Sequence, residues 1–177
     1  MAANPKAGLI ADNQGALYGT TASGGGNCGC GTFFKLTPPA RGQTAWTETV
    51  LYSFFKGGID GDGTGPVGSL IADNRGALYG TTFGRVNPNL GIVFKLTPPG
   101  KGQTAWTEIV LCTLFGNSNA GLIADKKGVL YGTTFQGPGA GGVFGLTPPA
   151  KGQTTWTETV LYTFKGGSDG ANPNGGL

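Results

Sequence analysis

The chain has 177 residues, 36 of them glycine and 11 proline, and this rules out long helices, because each glycine inside a helix costs roughly 1 kcal/mol. Aromatic residues at 10% and charged residues at only 12% exclude a disordered chain, which would be poor in apolar groups and rich in net charge. A net charge of +3 with no basic run longer than Lys126-Lys127 leaves no footprint for nucleic acid, and the lack of histidine removes His-based triads, general bases and metal ligands.

The remaining all-β reading is organised by repetition. LYGTT occurs at 17–21, 78–82 and 130–134, LTPP at 36–39, 96–99 and 146–149, and GQT leading to a Trp at 42–46, 102–106 and 152–156. Leu9 and Leu70 are 61 residues apart and Leu70 and Leu122 are 52 apart, the length of a four-stranded unit. The spacing predicts repeat one over 3–63, repeat two over 64–117, repeat three over 118–170 and the start of a fourth over 171–177.

Within repeat one, a first strand over 8–11 is closed by Asp12-Asn13-Gln14-Gly15, which recurs as Asp73-Asn74-Arg75-Gly76 and Asp125-Lys126-Lys127-Gly128. Asp at the first and Gly at the fourth position is the chemistry of a type I turn leading into a hairpin. A second strand follows over 16–21, its inner glycine (Gly19, Gly80, Gly132) marking a close approach of another backbone. A third runs over 32–36 and stops at a double proline, which cannot continue a ladder; a fourth runs from about 47 to 54. Runs such as Val50-Leu51-Tyr52 are apolar at successive positions, as expected when both faces of a sheet are covered. Repeated antiparallel units of this kind predict the blades of a β-propeller, with a β-sandwich as the competing architecture.

The motifs G-x-LYGTT, G-x-VFKLTP and VLYSF-x-GG-x-DG-x-x-P-x-x-GL resemble the GloVer repeat of the choice-of-anchor tandem repeat proteins, across essentially the whole chain. The resemblance implies an exported or surface β-propeller-like array and supplies no catalytic residues or cofactor. MAANPKAG lacks the apolar run of a secretory signal, and no stretch approaches the roughly 18 apolar residues that cross a bilayer. Three blades fall short of the roughly four to eight that close a propeller. Self-association or additional repeats of a longer chain are therefore the expected partners, and two chains would supply six blades.

Candidate chemistry is sparse. Trp46, Trp106 and Trp156 recur beside Gln43, Gln103 and Gln153 and beside Arg41, Lys101 and Lys151, a set that would place an indole, an amide and a cation along one rim and could stack and hydrogen-bond a glycan. The plainer reading makes each Trp a packing residue next to a solvated loop. Asp60 and Asp62 resemble the first half of a calcium loop, against the plainer reading as an inter-blade turn. Cys28 and Cys30 form a disulfide candidate; C-x-C alone is poor support for zinc, and Cys112 stands where the other repeats carry Tyr52 and Tyr162. Asp12, Asp73 and Asp125, and Glu48, Glu108 and Glu158, repeat as scaffold. The sequence thus predicts a non-enzymatic, exported binding or structural module without cofactor, glycan its sharpest ligand class. The alternative is a glycosidase or lyase with carboxylates from two blades at the channel mouth.

Overall fold

The computed structural model describes residues 4–26, 28–54, 61–84 and 90–177. Blade one consists of β1 (Ile10–Ala11), β2 (Leu17–Thr21), β3 (Thr32–Thr37) and β4 (Thr47–Ser53), antiparallel and in sequence order across the sheet. Blade three repeats it with β10 (Ile123–Ala124), β11 (Leu130–Thr134), β12 (Gly142–Thr147) and β13 (Thr157–Thr163). Blade two has β6 (Ile71–Ala72), β7 (Leu78–Gly84), β8 (Ile92–Thr97) and β9 (Thr107–Thr113), and gains β5 (Thr64–Pro66), which pairs with the far end of β7. Among the described residues the only helical element is a 3-10 turn, Gly167–Asp169. The chain is all-β, its three antiparallel sheets follow one another as propeller-like blades, and the array stays open. The two stacked sheets of a sandwich are not formed.

The turn chemistry works as its residues dictate. The Gly15 N–H donates to the Asp12 carbonyl at 3.1 Å, the Asp12 N–H donates to the Ala16 carbonyl at 2.9 Å, and Gly15 sits at φ 83°, where a side chain would be strained. Gly76 and Gly128 repeat this geometry.

The apolar runs are explained partly by coverage of both faces and partly by a bulge that periodicity does not show. Phe33 pairs with Tyr52 and Phe34 with Val50, so Leu51 is the extra residue on β4, and the same shift recurs at Val93/Phe94 and Val143/Phe144. The bulge lets Leu51 and Tyr52 pack on the same side.

Each blade therefore has two distinct faces. In blade one the trailing face carries Ile10, Tyr18, Phe33, Leu51, Tyr52 and Phe54, and it packs on Leu70, Leu78, Ile92, Phe94, Leu96, Trp106 and Val110 of blade two. The trailing face of blade two, with Ile71, Tyr79, Val93, Leu111, Cys112 and Leu114, packs on Leu122, Leu130, Phe144, Leu146 and Trp156 of blade three. Each core is shared between neighbouring sheets, so no blade buries its apolar surface alone.

The glycine of LYGTT is explained by a ring and not by a second backbone. A Cβ on Gly80 would lie 2.6 Å from Phe94 Cζ and 2.9 Å from Leu70 Cδ2, and Gly19 and Gly132 meet Phe34 with Leu9 and Phe144 with Leu122 in the same way. The cross-strand phenylalanine lies over the gap that the missing side chain leaves.

Candidate functional site

At both blade junctions the same residues enclose a cleft. The first, of about 580 Å³, lies between Ile10, Asp12, Asn13 and Tyr18 of blade one and Asp73, Asn74, Pro98 and Trp106 of blade two. The second, of about 310 Å³, lies between Asp73, Asn74 and Tyr79 of blade two and Asp125, Lys126, Leu130 and Trp156 of blade three. Asn74 lines both.

Trp106 stands just before β9 and reaches back to the preceding blade. Its ring centroid lies 4.9 Å from that of Phe33, edge to face, and 6.1 Å from that of Tyr18. Tyr18 in turn stacks on Phe33 at 6.0 Å, and Lys35 Nζ lies 5.4 Å from the Tyr18 centroid. Trp156 packs in the corresponding place against the second shared core, and Lys95 covers Tyr79 at the same 5.4 Å. Trp106 and Trp156 are half-buried, each serving as packing and as cleft wall. Trp46 belongs to neither shared core and is 47% exposed.

The structure does not join the other members of the tryptophan set to these clefts. Gln43, Gln103 and Gln153 and Arg41, Lys101 and Lys151 are exposed on tight turns, closed by the N–H of each Gln donating to the carbonyl of Ala40, Gly100 or Ala150 at 2.9 Å. None of the six lines a cleft.

The residues that the sequence reading passed over are Tyr18, Tyr79 and Tyr131, and Asn13 and Asn74. The tyrosines pin the turn carboxylates. Asp12 accepts the N–H groups of Gln14 and Ala16 at 2.9 Å on Oδ1 and the Tyr18 hydroxyl at 3.1 Å on Oδ2. Asp73 and Asp125 hold the same bonds, with hydroxyl distances of 3.0 Å from Tyr79 and 3.2 Å from Tyr131. Desolvation raises the pKa of each carboxyl, but the two N–H groups, the tyrosine hydroxyl and a nearby lysine outweigh it and hold the group below its usual value. The signal was present as Asp followed six residues later by Tyr, three times over.

Asp62 is buried and accepts the Tyr52 hydroxyl, an arrangement repeated by Tyr162 and Asp169 at 2.5 Å. Repeat two has Cys112 at the tyrosine position and no aspartate in the turn, so tyrosine and aspartate are kept or lost together. Asp60 lies outside the described residues, and among those described no group of three or more His, Cys, Asp or Glu side chains is placed to hold a metal ion.

Glu108 faces Asp62 from the next blade. Burial, with the charge of Asp62 added, pushes its pKa up to about 8, and its buried Oε1 has no hydrogen-bond partner among the described residues. Glu158 is raised by burial, which the Phe115 N–H and the Cys112 thiol offset only in part. The Cys112 thiol is pushed up to about 11 by burial and by Glu158. Glu48, on β4 of blade one, is exposed. Cys28 and Cys30 are joined as a disulfide in the loop after β2, with Cα atoms 5.3 Å apart. No described helix is long and apolar enough to cross a membrane.

No curated protein matches the sequence. The family model described as the Gloeobacter/Verrucomicrobia repeat matches residues 1–177, and the chain belongs to that repeat family.

Proposed function

We propose that the chain is a non-catalytic, exported binding module whose ligand sites are the clefts between blades, with saccharide as the ligand class, and whose open ends are covered by further blades or further copies. One observation carries this reading: the same aromatic-walled cleft is built twice from equivalent residues, Tyr18 with Trp106 and Tyr79 with Trp156. A half-exposed indole offers an apolar face for the C–H side of a sugar ring, and the asparagine amide at the mouth supplies both a donor and an acceptor for hydroxyls.

The carboxylates support binding over catalysis. Those at the cleft mouth spend their acceptor sites on turn N–H groups and tyrosine hydroxyls, and the repeated glutamates stand on β4, β9 and β13, at the opposite edge of each sheet from the turn carboxylates. An acid and base pair flanking one substrate bond needs free carboxyl groups on opposite sides of it.

Asn74 is exposed and touches both clefts, so it tests the reading without disturbing the core. Glycan-array screening followed by calorimetry should find a bound oligosaccharide, and Asn74→Ala should weaken binding about fivefold to tenfold, the worth of about one hydrogen bond. If the array stays blank, or Asn74→Ala binds as tightly as the parent, the saccharide reading fails.

A further inference from the structure

The two faces that join blades within the chain are also presented, unpaired, at the two ends of the array. The leading face of blade one carries Leu9, Trp46 and Val50. Leu9 is 51% exposed, while its equivalents Leu70 and Leu122 are buried to 6% and 3%. The trailing face of blade three carries Tyr131, Val143, Leu161 and Tyr162. Tyr162 is 46% exposed against 8% for Tyr52, and Val143 is half-buried where Phe33 and Val93 are completely buried. One end has the tryptophan without its seat, and the other has the seat without its tryptophan.

We infer that a second copy of this chain docks head to tail, its Trp46 seated on Tyr131 and Val143 of the first copy as Trp106 is seated on Tyr18 and Phe33. This rests on the reading above of open ends covered by further blades or copies, and it commits to the copy. The unpaired faces continue interfaces already formed: position for position, they are the two halves of junctions that the chain builds twice internally. The backbone at the seam follows the same pattern. At the first junction the Gly65 N–H donates to the Cys30 carbonyl at 2.8 Å; on blade three that place is taken by Asn172, whose N–H donates to the Ala140 carbonyl at 2.7 Å. The segment 172–177 thus lies on blade three where residues 4–9 of an incoming copy belong, and docking exchanges one Asn N–H for its equivalent, Asn4. Contact between unlike faces is heterologous, so it closes into a ring when the rotation allows and otherwise extends as a chain.

The test blocks each half separately. Trp46→Glu removes the knob and Val143→Glu charges the seat; Leu161→Glu, at a position 53% exposed, charges the same face without entering the shared cores. Circular dichroism confirms the fold of each. In analytical ultracentrifugation at tens of micromolar, the parent chain should sediment at a multiple of 17.9 kDa, and every single variant should sediment as a monomer. Mixing Trp46→Glu with either face variant, which restores one intact junction, should yield a 1:1 pair that goes no further. A monomeric parent chain would overturn the inference and leave the open ends to further blades of a longer polypeptide. So would variants that still associate alone, or a mixture that stays monomeric. The internal clefts are untouched in these variants, so glycan titration of the monomers reads the saccharide proposal independently.

Discussion

The two internal junctions are built to one plan from different materials. Junction one joins Phe33, Tyr52 and Phe54 to Phe94, Ile92 and Trp106, with Phe54 edge to face on both Tyr52 at 5.4 Å and Phe94 at 5.1 Å. Junction two puts Val93, Cys112 and Leu114 in the places of those first three aromatics. What the two junctions share is the Trp anchor, the leucines and the Phe ring over a glycine; what varies is the filling of the trailing face. The shared parts are needed to dock one blade on the next, and the variable parts need only match the space opposite.

The comparison breaks hardest at the tryptophans. Trp106→Ala removes a large aromatic from a packed aromatic cluster, and its cost should approach the roughly 3–5 kcal/mol of such truncations. Trp156→Ala, facing the aliphatic set, should cost less. Trp46→Ala should leave the unfolding midpoint of the monomer nearly unchanged, since Trp46 is exposed and belongs to neither shared core. Urea denaturation of the three variants at low protein concentration checks the order; equal losses at all three positions would mean that the tryptophans stabilise their own blades and not the junctions.

Gly80→Ala sharpens what the junctions have in common. The new methyl would lie under 3 Å from both Phe94 and Leu70, two side chains at the centre of junction one, so one of them must leave its place. Overpacking of this kind costs about 1–3 kcal/mol. A midpoint unchanged within error would mean that the ring shifts freely, against the close packing described.

Much of this was readable from residue types. Repeats, turns and strand order follow from Asp-x-x-Gly, from the double prolines and from apolar runs, because these act locally. Two features were not readable. The bulge opposite Phe33 and Phe34 leaves no mark on composition, since Leu51 is as apolar as its neighbours. The clefts were not readable either, because Trp106 works across a junction, against Tyr18 some 88 residues earlier, while the sequence sets beside it only Lys101 and Gln103. Adjacency in space is decided by the docking of sheets, which adjacency in sequence does not show.

The junctions also differ in their response to pH. Glu108, at junction one, faces Asp62 and the Tyr52 hydroxyl, while Glu158, at junction two, faces the neutral Cys112 thiol. A carboxyl whose folded pKa is raised binds its proton more tightly folded than unfolded. Its contribution is therefore complete below the unfolded value near 4.5 and is lost as pH rises toward about 8. Stability should fall across that window, and Glu108→Gln should remove most of the slope; Glu158→Gln should change it less. A flat profile in the parent chain between pH 5 and 8 would show that Glu108 is solvated.

The smallest effect separates a covered turn pin from an open one. Tyr79 sits within junction two, where burial and the bond to Asp73 push its own pKa up to about 12, whereas Tyr131 donates to Asp125 at the uncovered end. Tyr79→Phe deletes one partly buried hydrogen bond to a charged acceptor, which should cost about 1 kcal/mol after allowance for solvent; Tyr131→Phe should cost less. The sign with pH is opposite to that of Glu108. Asp73 is held below its ordinary 3.8, so its contribution is present above that value and is lost as pH falls through the folded pKa. The difference between parent and Tyr79→Phe should therefore be full at neutral pH and shrink below about pH 4 as Asp73 takes up its proton. Carboxyl NMR titration checks it directly: the Asp73 resonance should titrate at higher pH in the variant, and an unmoved midpoint would mean that the turn N–H groups of Arg75 and Ala77 hold the carboxylate without the tyrosine.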